Sequence, residues 1–117
     1  MKLVNLTPHT LSFRGIGGEY LDIQPSGVVA RVDTITRQVK MVSESDIEIP
    51  VNRVCYTNII NLPEPEEDTL YISSSIVAMT ANRKDVISPD TSRDSAIRDE
   101  AGRVIAVKAL QTFVLEE

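Results

Sequence analysis

Ten residues of this chain carry side chains that suit the binding of a small anion: Asn5, Thr7, His9, Ser73, Ser74, Ser75, Arg83, Asp85, Asp90 and Arg98. The three consecutive serines follow an apolar run, which is typical of a helix start, where hydroxyls and free backbone N–H groups attract negative charge. Arginine guanidinium groups bind phosphate or diphosphate, and aspartates accept hydrogen bonds from ribose hydroxyls. We therefore predict one polar site for a nucleotide-like ligand. The alternatives are ordinary capping for the serines and surface ion pairs for the arginines.

The same residue types give little support to catalysis or metal binding. His9 is the one imidazole available to activate a serine, and no nucleophile-elbow motif is present. One His and one Cys cannot form a zinc cluster, and the spacing of Asp90, Asp94 and Asp99 differs from that of a calcium loop. We therefore expect no catalytic residue, metal or cofactor. Hydrolysis by a carboxylate pair, Asp90 with Asp94 or Asp99 with Glu100, stays open.

Length and composition indicate one ordinary globular domain over residues 1–117, since 42% of the residues are hydrophobic and 25% are charged. A net charge of −5 without a Lys/Arg run argues against binding to a nucleic-acid backbone. Neither a leader peptide nor a long apolar segment is evident, and the single Cys55 excludes an intramolecular disulfide. We therefore expect a cytoplasmic protein without a membrane partner.

The elements that must position these residues are mainly strands. Apolar and β-branched runs predict strands at residues 2–6, 10–14, 20–23, 28–34, 38–42, 53–62 and 70–72, and a hairpin over residues 96–110. The glycine-rich residues 15–18 predict a hairpin turn between the strands at 10–14 and 20–23. Residues 46–50 are predicted as a loop or short edge strand. A serine caps one short helix near residues 74–83, and a polar loop follows over residues 84–94. The predicted class is α+β: a mostly antiparallel sheet, or a small barrel-like sheet, with one short helix. If the first strand lies beside the 70–72 strand, the turn at residues 5–9 lies near the helix start.

Short motifs over nearly the whole chain resemble a family of small phage and prophage proteins. They include Asn5-Leu6-Thr7-Pro8-His9, Pro25-Ser26-Gly27 and Arg98-Asp99-Glu100-Ala101-Gly102-Arg103-Val104-Ile105. Accessory proteins of this kind often counter bacterial immunity, and some are sponges for nucleotide signals such as the ADP-ribose derivatives of Thoeris defence. The resemblance implies a phage-encoded sponge that sequesters an ADP-ribose-derived or cyclic nucleotide signal without cleaving it.

The leading hypothesis gives each part of the predicted site a role. Residues 73–75 and an arginine bind phosphate; Asn5, Thr7 and His9 contact base or ribose; Asp85 or Asp90 binds a ribose hydroxyl. In this hypothesis Arg98→Ala weakens binding. Because a domain of this size encloses a nucleotide poorly, we expect a homo-oligomer whose interface helps to close the site. The alternative is a protein-interaction module, either a phage structural accessory or an inhibitor of a host enzyme, and a nucleotide-signal hydrolase is the third hypothesis.

Overall fold

The computed structural model describes residues 1–115, which form ten strands and one short helix. The elements are β1 (Lys2–Asn5), β2 (Leu11–Arg14), β3 (Tyr20–Ile23), β4 (Arg31–Glu44), β5 (Ile47–Ile60), β6 (Thr69–Ile72), α1 (Ser75–Ala81), β7 (Val86–Pro89), β8 (Ala96–Arg98), β9 (Val104–Val107) and β10 (Leu110–Gln111). The predicted α+β class with a short helix is confirmed, and within the described chain the sheets do not close into a barrel. In the same range, no helix is long and apolar enough to cross a membrane.

The first sheet has the strand order β1-β6-β7-β10, and its first three strands run parallel. The helix α1 connects β6 to β7, as expected for a crossover between parallel neighbours. Strand β7 corrects the prediction of a continuous loop over residues 84–94. Its four residues include Ser88 and Pro89, so the sequence pattern is too short and too polar to indicate a strand. Pairing with β6 on one side and β10 on the other establishes it.

The second sheet has the order β3-β2-β9-β8 and contains the two predicted hairpins. Strands β2 and β3 pair antiparallel, as do β8 and β9, whereas β2 and β9 run parallel. Gly102 lies in the turn between β8 and β9 with φ at 86°, a conformation that disfavours residues with a Cβ atom. These hairpins are local features, and both are confirmed.

Strands β4 and β5 form a long two-stranded ribbon, here called the arm (residues 31–60). Strand β4 continues through residues 35–37, which separate two predicted strands. Residues 47–50 belong to β5, which agrees with the strand alternative for the segment predicted as a loop or short edge strand. Its two-residue turn, Ser45-Asp46, has positive φ at both positions (54° and 64°), which is the hairpin turn geometry usually signalled by Asn-Gly. Pro50 lies within β5, where the free outer edge of a two-stranded ribbon tolerates proline.

The hydrophobic core lies between the first sheet, α1 and the base of the arm. Its buried members are Leu6, Ala30, Tyr71, Val77, Ala78 and Val86. Val32 and Ile59, at the base of the arm, pack against this cluster, but the rest of the arm projects away from it. The radius of gyration is 17.5 Å, compared with about 13 Å for a compact domain of this length.

Candidate functional site

The three parallel strands of the first sheet end at one edge, and polar residues follow each of them. Leu6 N–H donates to the carbonyl oxygen of Ile72, and Ser73 N–H donates to that of Ile87, each at 2.8 Å. The chain segments therefore leave the sheet side by side. The crevice outside the carboxyl ends of parallel strands is a common ligand-binding position, because loops from neighbouring strands converge there.

A cleft of about 340 Å³, here called the polar cleft, lies at this edge. Its volume is near the lower end of the range for small-molecule sites. It is lined by Thr7, Pro8, His9, Leu11, Ser73, Ser74, Ser75, Pro89, Thr91 and Gln111. Five of the ten predicted residues thus meet in one place. The pairing of β1 with β6 confirms that the turn at residues 5–9 lies near the helix start.

Asn5 shapes the polar cleft from below, contrary to its predicted contact with the ligand. Its side chain is fully buried, and its Oδ1 accepts from the backbone N–H of Thr7 at 2.9 Å and from the hydroxyl of Thr7 at 2.7 Å. Its Nδ2 donates to the carbonyl oxygens of His9 at 2.8 Å and Ile23 at 3.0 Å. All four hydrogen bonds available to an amide are therefore used to hold the turn.

The three serines divide between structural and exposed positions. Ser73 is buried and donates to the carbonyl oxygen of Ser74 at 2.9 Å. Ser74 caps the helix by accepting from the Val77 N–H at 3.3 Å, which confirms that a serine is the N-cap. Ser75 is exposed and is the first residue of α1. Because α1 has only seven residues, few peptide dipoles add up at its start, and hydroxyl groups dominate the polarity of this wall.

His9 is the one titratable side chain among the residues that line the polar cleft. Its backbone carbonyl is held by Asn5 and by the Thr7 hydroxyl, while its imidazole is exposed and makes no hydrogen bond within residues 1–115. A neutral imidazole can donate or accept, and hydroxyls can do both. The cleft therefore suits uncharged polar groups, such as sugar hydroxyls, better than a free phosphate.

Arg83 and Asp85 lie at the other end of α1 and bind each other. The guanidinium donates from Nε to Oδ1 of Asp85 at 2.9 Å and from Nη2 to Oδ2 at 2.7 Å. Its Nη1 also donates to the carbonyl oxygen of Pro63 at 3.1 Å. The hydrogen bonds from Arg83 lower the pKa of the Asp85 carboxyl below its ordinary value. The structure does not bring either residue to the polar cleft; the pair instead joins the end of the helix to the 63–68 loop.

Asp90 and Arg98 are also absent from the cleft lining. Asp90 accepts from the backbone N–H of Ser92 at 2.9 Å, and this bond lowers the pKa of its carboxyl. Arg98 lies on β8 and donates to the carbonyl oxygen of Gly102 at 2.7 Å, across its own hairpin turn. Both side chains thus stabilise local turns. Neither of the two arginines predicted for the site, Arg83 and Arg98, therefore lines the polar cleft.

A second, mainly apolar cleft adjoins the polar one. This apolar cleft has a volume of about 160 Å³ and shares Leu11, Pro89 and Thr91 with its neighbour. Its other lining residues are Thr10, Ser12, Phe13, Val104, Ile105, Ala106 and Val107. The two clefts form one groove between the sheets, with hydroxyls at one end and aliphatic and aromatic carbon at the other.

Sequence reasoning missed several residues of this groove. Thr91 lies in the predicted loop, and its role depends on β7, whose pattern is too short to recognise. Gln111 donates from Nε2 to Ser88 Oγ at 3.1 Å and to the carbonyl oxygen of Pro89 at 3.2 Å, which places it beside the cleft. Its position requires the pairing of β10 with β7. No local signal marks either residue as part of a site.

Comparison of the chain with protein-family models, with curated proteins and with solved structures finds no significant match in any of the three.

Proposed function

We propose that this protein binds and sequesters a nucleotide-like molecule in the groove formed by the polar and apolar clefts. The observation that carries the proposal is the junction of the two clefts at Leu11, Pro89 and Thr91, at the carboxyl ends of parallel strands. A nucleoside likewise has one apolar and one polar part: a flat, largely apolar base and a sugar that bears hydroxyl groups.

In this proposal, the ribose lies in the polar cleft, where Thr7, His9, Ser75 and Thr91 offer hydrogen bonds. The base lies against the Phe13 side of the apolar cleft. Phosphate groups extend toward solvent, since the cleft lining contains no Lys or Arg among residues 1–115. An ADP-ribose-derived or cyclic nucleotide signal is the proposed ligand class, in line with the resemblance to small phage proteins.

Binding without cleavage agrees better with the side chains of the groove than hydrolysis does. A hydrolase needs a positioned acid and base, or a nucleophile with its base. The groove has no lining carboxylate within the described chain, and the exposed imidazole of His9 has no hydrogen-bonded serine. Sequestration requires only affinity, which hydroxyls and an apolar wall can supply.

The test is calorimetric titration of the purified protein with ADP-ribose, cyclic ADP-ribose and adenosine, followed by heat release and chromatography of the recovered compound. Recovery of unchanged compound in stoichiometric amount supports sequestration. A chemically altered product, or no binding of any of the three, contradicts the proposal.

Single substitutions test whether the ligand binds in the groove. Ser75→Ala and His9→Ala each remove one exposed hydrogen-bonding group and should weaken binding about tenfold, the usual effect of one lost hydrogen bond. Thr80→Ala, an exposed position on the same helix outside both clefts, is the matched control and should bind normally. Arg98→Ala should also bind normally because Arg98 lines neither cleft.

The interaction-module hypothesis is supported by a different feature, the exposed apolar surface of the arm. It predicts that the arm, and not the groove, contacts the partner. Ser75→Ala and His9→Ala should therefore leave that interaction unchanged.

A further inference from the structure

The arm exposes many large apolar side chains to solvent. Ile35, Ile47 and Ile49 are 56%, 62% and 50% exposed, and the exposed fractions of Val39, Met41, Val42, Val54 and Tyr56 are between 41% and 51%. A two-stranded hairpin is marginally stable in water unless a third strand or a packed apolar face supports it. Exposed apolar patches mark interaction sites when they are large enough.

The pairing register assigns the exposed residues to two faces. Directly opposed residues share a face, and alternate residues of β5 share a face. One face therefore carries five rows from base to tip: Ile35–Cys55, Arg37–Arg53, Lys40–Val51, Val42–Ile49 and Glu44–Ile47. We call this the isoleucine face. The opposite face carries Thr34–Tyr56, Thr36–Val54, Gln38–Asn52, Met41–Pro50 and Ser43–Glu48.

The charges on the isoleucine face lack partners within the chain. Arg37 lies directly opposite Arg53, and like charges at opposed positions destabilise a strand pair. Neither arginine forms an ion pair or side-chain hydrogen bond within residues 1–115, and neither does Glu44 at the tip. The face thus has a basic row second from its base and an acidic residue at its tip, and Lys40 lies between them beside Val51, Val42 and Ile49.

The acidic tip and the arginine row of this face have opposite charges and can pair between two copies. We propose that the isoleucine face packs against the same face of a second copy of this chain, with the two arms antiparallel about a twofold axis. The axis passes between the Lys40–Val51 row and the Val42–Ile49 row. Each Glu44 then lies opposite the Arg37–Arg53 row of the other copy. In the two central rows, Val51 and the aliphatic stem of Lys40 pack against Val42 and Ile49 of the other copy, with the Lys40 ammonium directed to solvent at the edge of the interface.

The surface area of the chain is large enough for such a dimer. The accessible surface is 8328 Å², whereas a compact monomer of 12.9 kDa has about 6,300 Å². The excess is roughly 2,000 Å², and a standard interface takes about 800 Å² from each partner. An isologous interface also requires residues that contact each other in exchanged order, which the four rows from Arg37–Arg53 to Glu44–Ile47 satisfy.

The proposal can be tested by reversing charges on the isoleucine face and measuring dimer formation by sedimentation velocity over a wide range of protein concentration. The unchanged protein should form a dimer. Glu44→Lys, and separately the double variant Arg37→Glu with Arg53→Glu, should each raise the dimer Kd more than about a hundredfold, because like charges then face each other twice. An equimolar mixture of the two variant proteins should restore the dimer, because both contacts then join opposite charges.

A second double variant is the control for charge changes that lie outside the isoleucine face. Gln38→Glu with Asn52→Glu changes the adjacent row on the opposite face, and the dimer should persist. Glu44 is exposed at the tip of the arm, so the Glu44→Lys variant should fold normally. Thermal unfolding followed by circular dichroism can verify this. A protein that stays monomeric at all concentrations overturns the proposal. So does a mixture that fails to restore the dimer, or a Gln38→Glu/Asn52→Glu variant that loses it.

Discussion

The groove region and the arm differ in how well their polar and apolar side chains find contacts within the chain. Around the groove, buried Asn5 uses all four of its hydrogen bonds, and no buried side-chain nitrogen or oxygen of residues 1–115 lacks a partner. On the arm, isoleucines face solvent and Arg37 faces Arg53. The side chains around the groove find their contacts within one chain, whereas the arm leaves apolar and charged side chains exposed to solvent. The same substitution should therefore have different effects on chain stability in the two regions.

The largest difference should come from Ile72→Ala compared with Ile49→Ala. Ile72 is fully buried, so its truncation should lower the free energy of unfolding by about 2–5 kcal/mol. Ile49 is 50% exposed, and its truncation should cost less than about 1 kcal/mol at concentrations where the protein is monomeric. Urea denaturation measures both. Equal losses would show that the arm is packed as tightly as the core within one chain.

Asn5→Asp compared with Asn52→Asp isolates the buried hydrogen-bond network. A carboxylate cannot donate to the carbonyl oxygens of His9 and Ile23, so Asn5→Asp should destabilise the chain by about 2–3 kcal/mol. Asn52 is exposed on the arm, and the same change there should be nearly neutral. Chemical denaturation at neutral pH provides the comparison. If Asn5→Asp left the free energy of unfolding unchanged, Asn5 would not be needed to hold the 5–9 turn.

Asp85→Asn compared with Asp33→Asn tests the ion pair at the end of α1. Loss of the paired hydrogen bonds with Arg83 should cost about 1–2 kcal/mol at pH 7, whereas exposed Asp33 on the arm should contribute little. Because folding lowers the pKa of Asp85, its stabilising effect is present above the unfolded pKa of about 3.9 and is lost as the pH falls through the lower folded value. The stability difference between wild type and Asp85→Asn should therefore shrink below about pH 4. A difference that is constant down to lower pH would contradict this account.

The smallest expected effect is that of Ser74→Ala compared with Ser43→Ala. Loss of the N-cap hydrogen bond to Val77 should cost about 1 kcal/mol. Ser43 is exposed near the tip of the arm, so its hydroxyl should be dispensable in the monomer. Thermal unfolding of both variants measures the difference. A Ser43→Ala variant as destabilised as Ser74→Ala would indicate an arm contact that the monomer does not contain.

Sequence patterns predicted the elements that depend on neighbouring residues. The N-cap serine, the β2–β3 and β8–β9 hairpins and the short helix follow from residues within a few positions of one another. The arm was predicted only as separate strands, because Ser45-Asp46 is not a typical hairpin turn and Pro50 interrupts the pattern. Strand β7 was missed because its apolar run is short, and with it the position of Thr91.

For the candidate site, the sequence by itself determined which polar residues the chain contains and where turns and the helix cap form. Only the tertiary structure decided which of them share a cleft. Thr7, His9 and Ser75 meet because β1 pairs with β6, while Arg83 and Asp85 point to each other at the far end of α1. The physical reason is that caps and turns depend on local hydrogen bonds, whereas strand pairing joins segments that are distant in the sequence. Its register depends on side chains buried across the whole core.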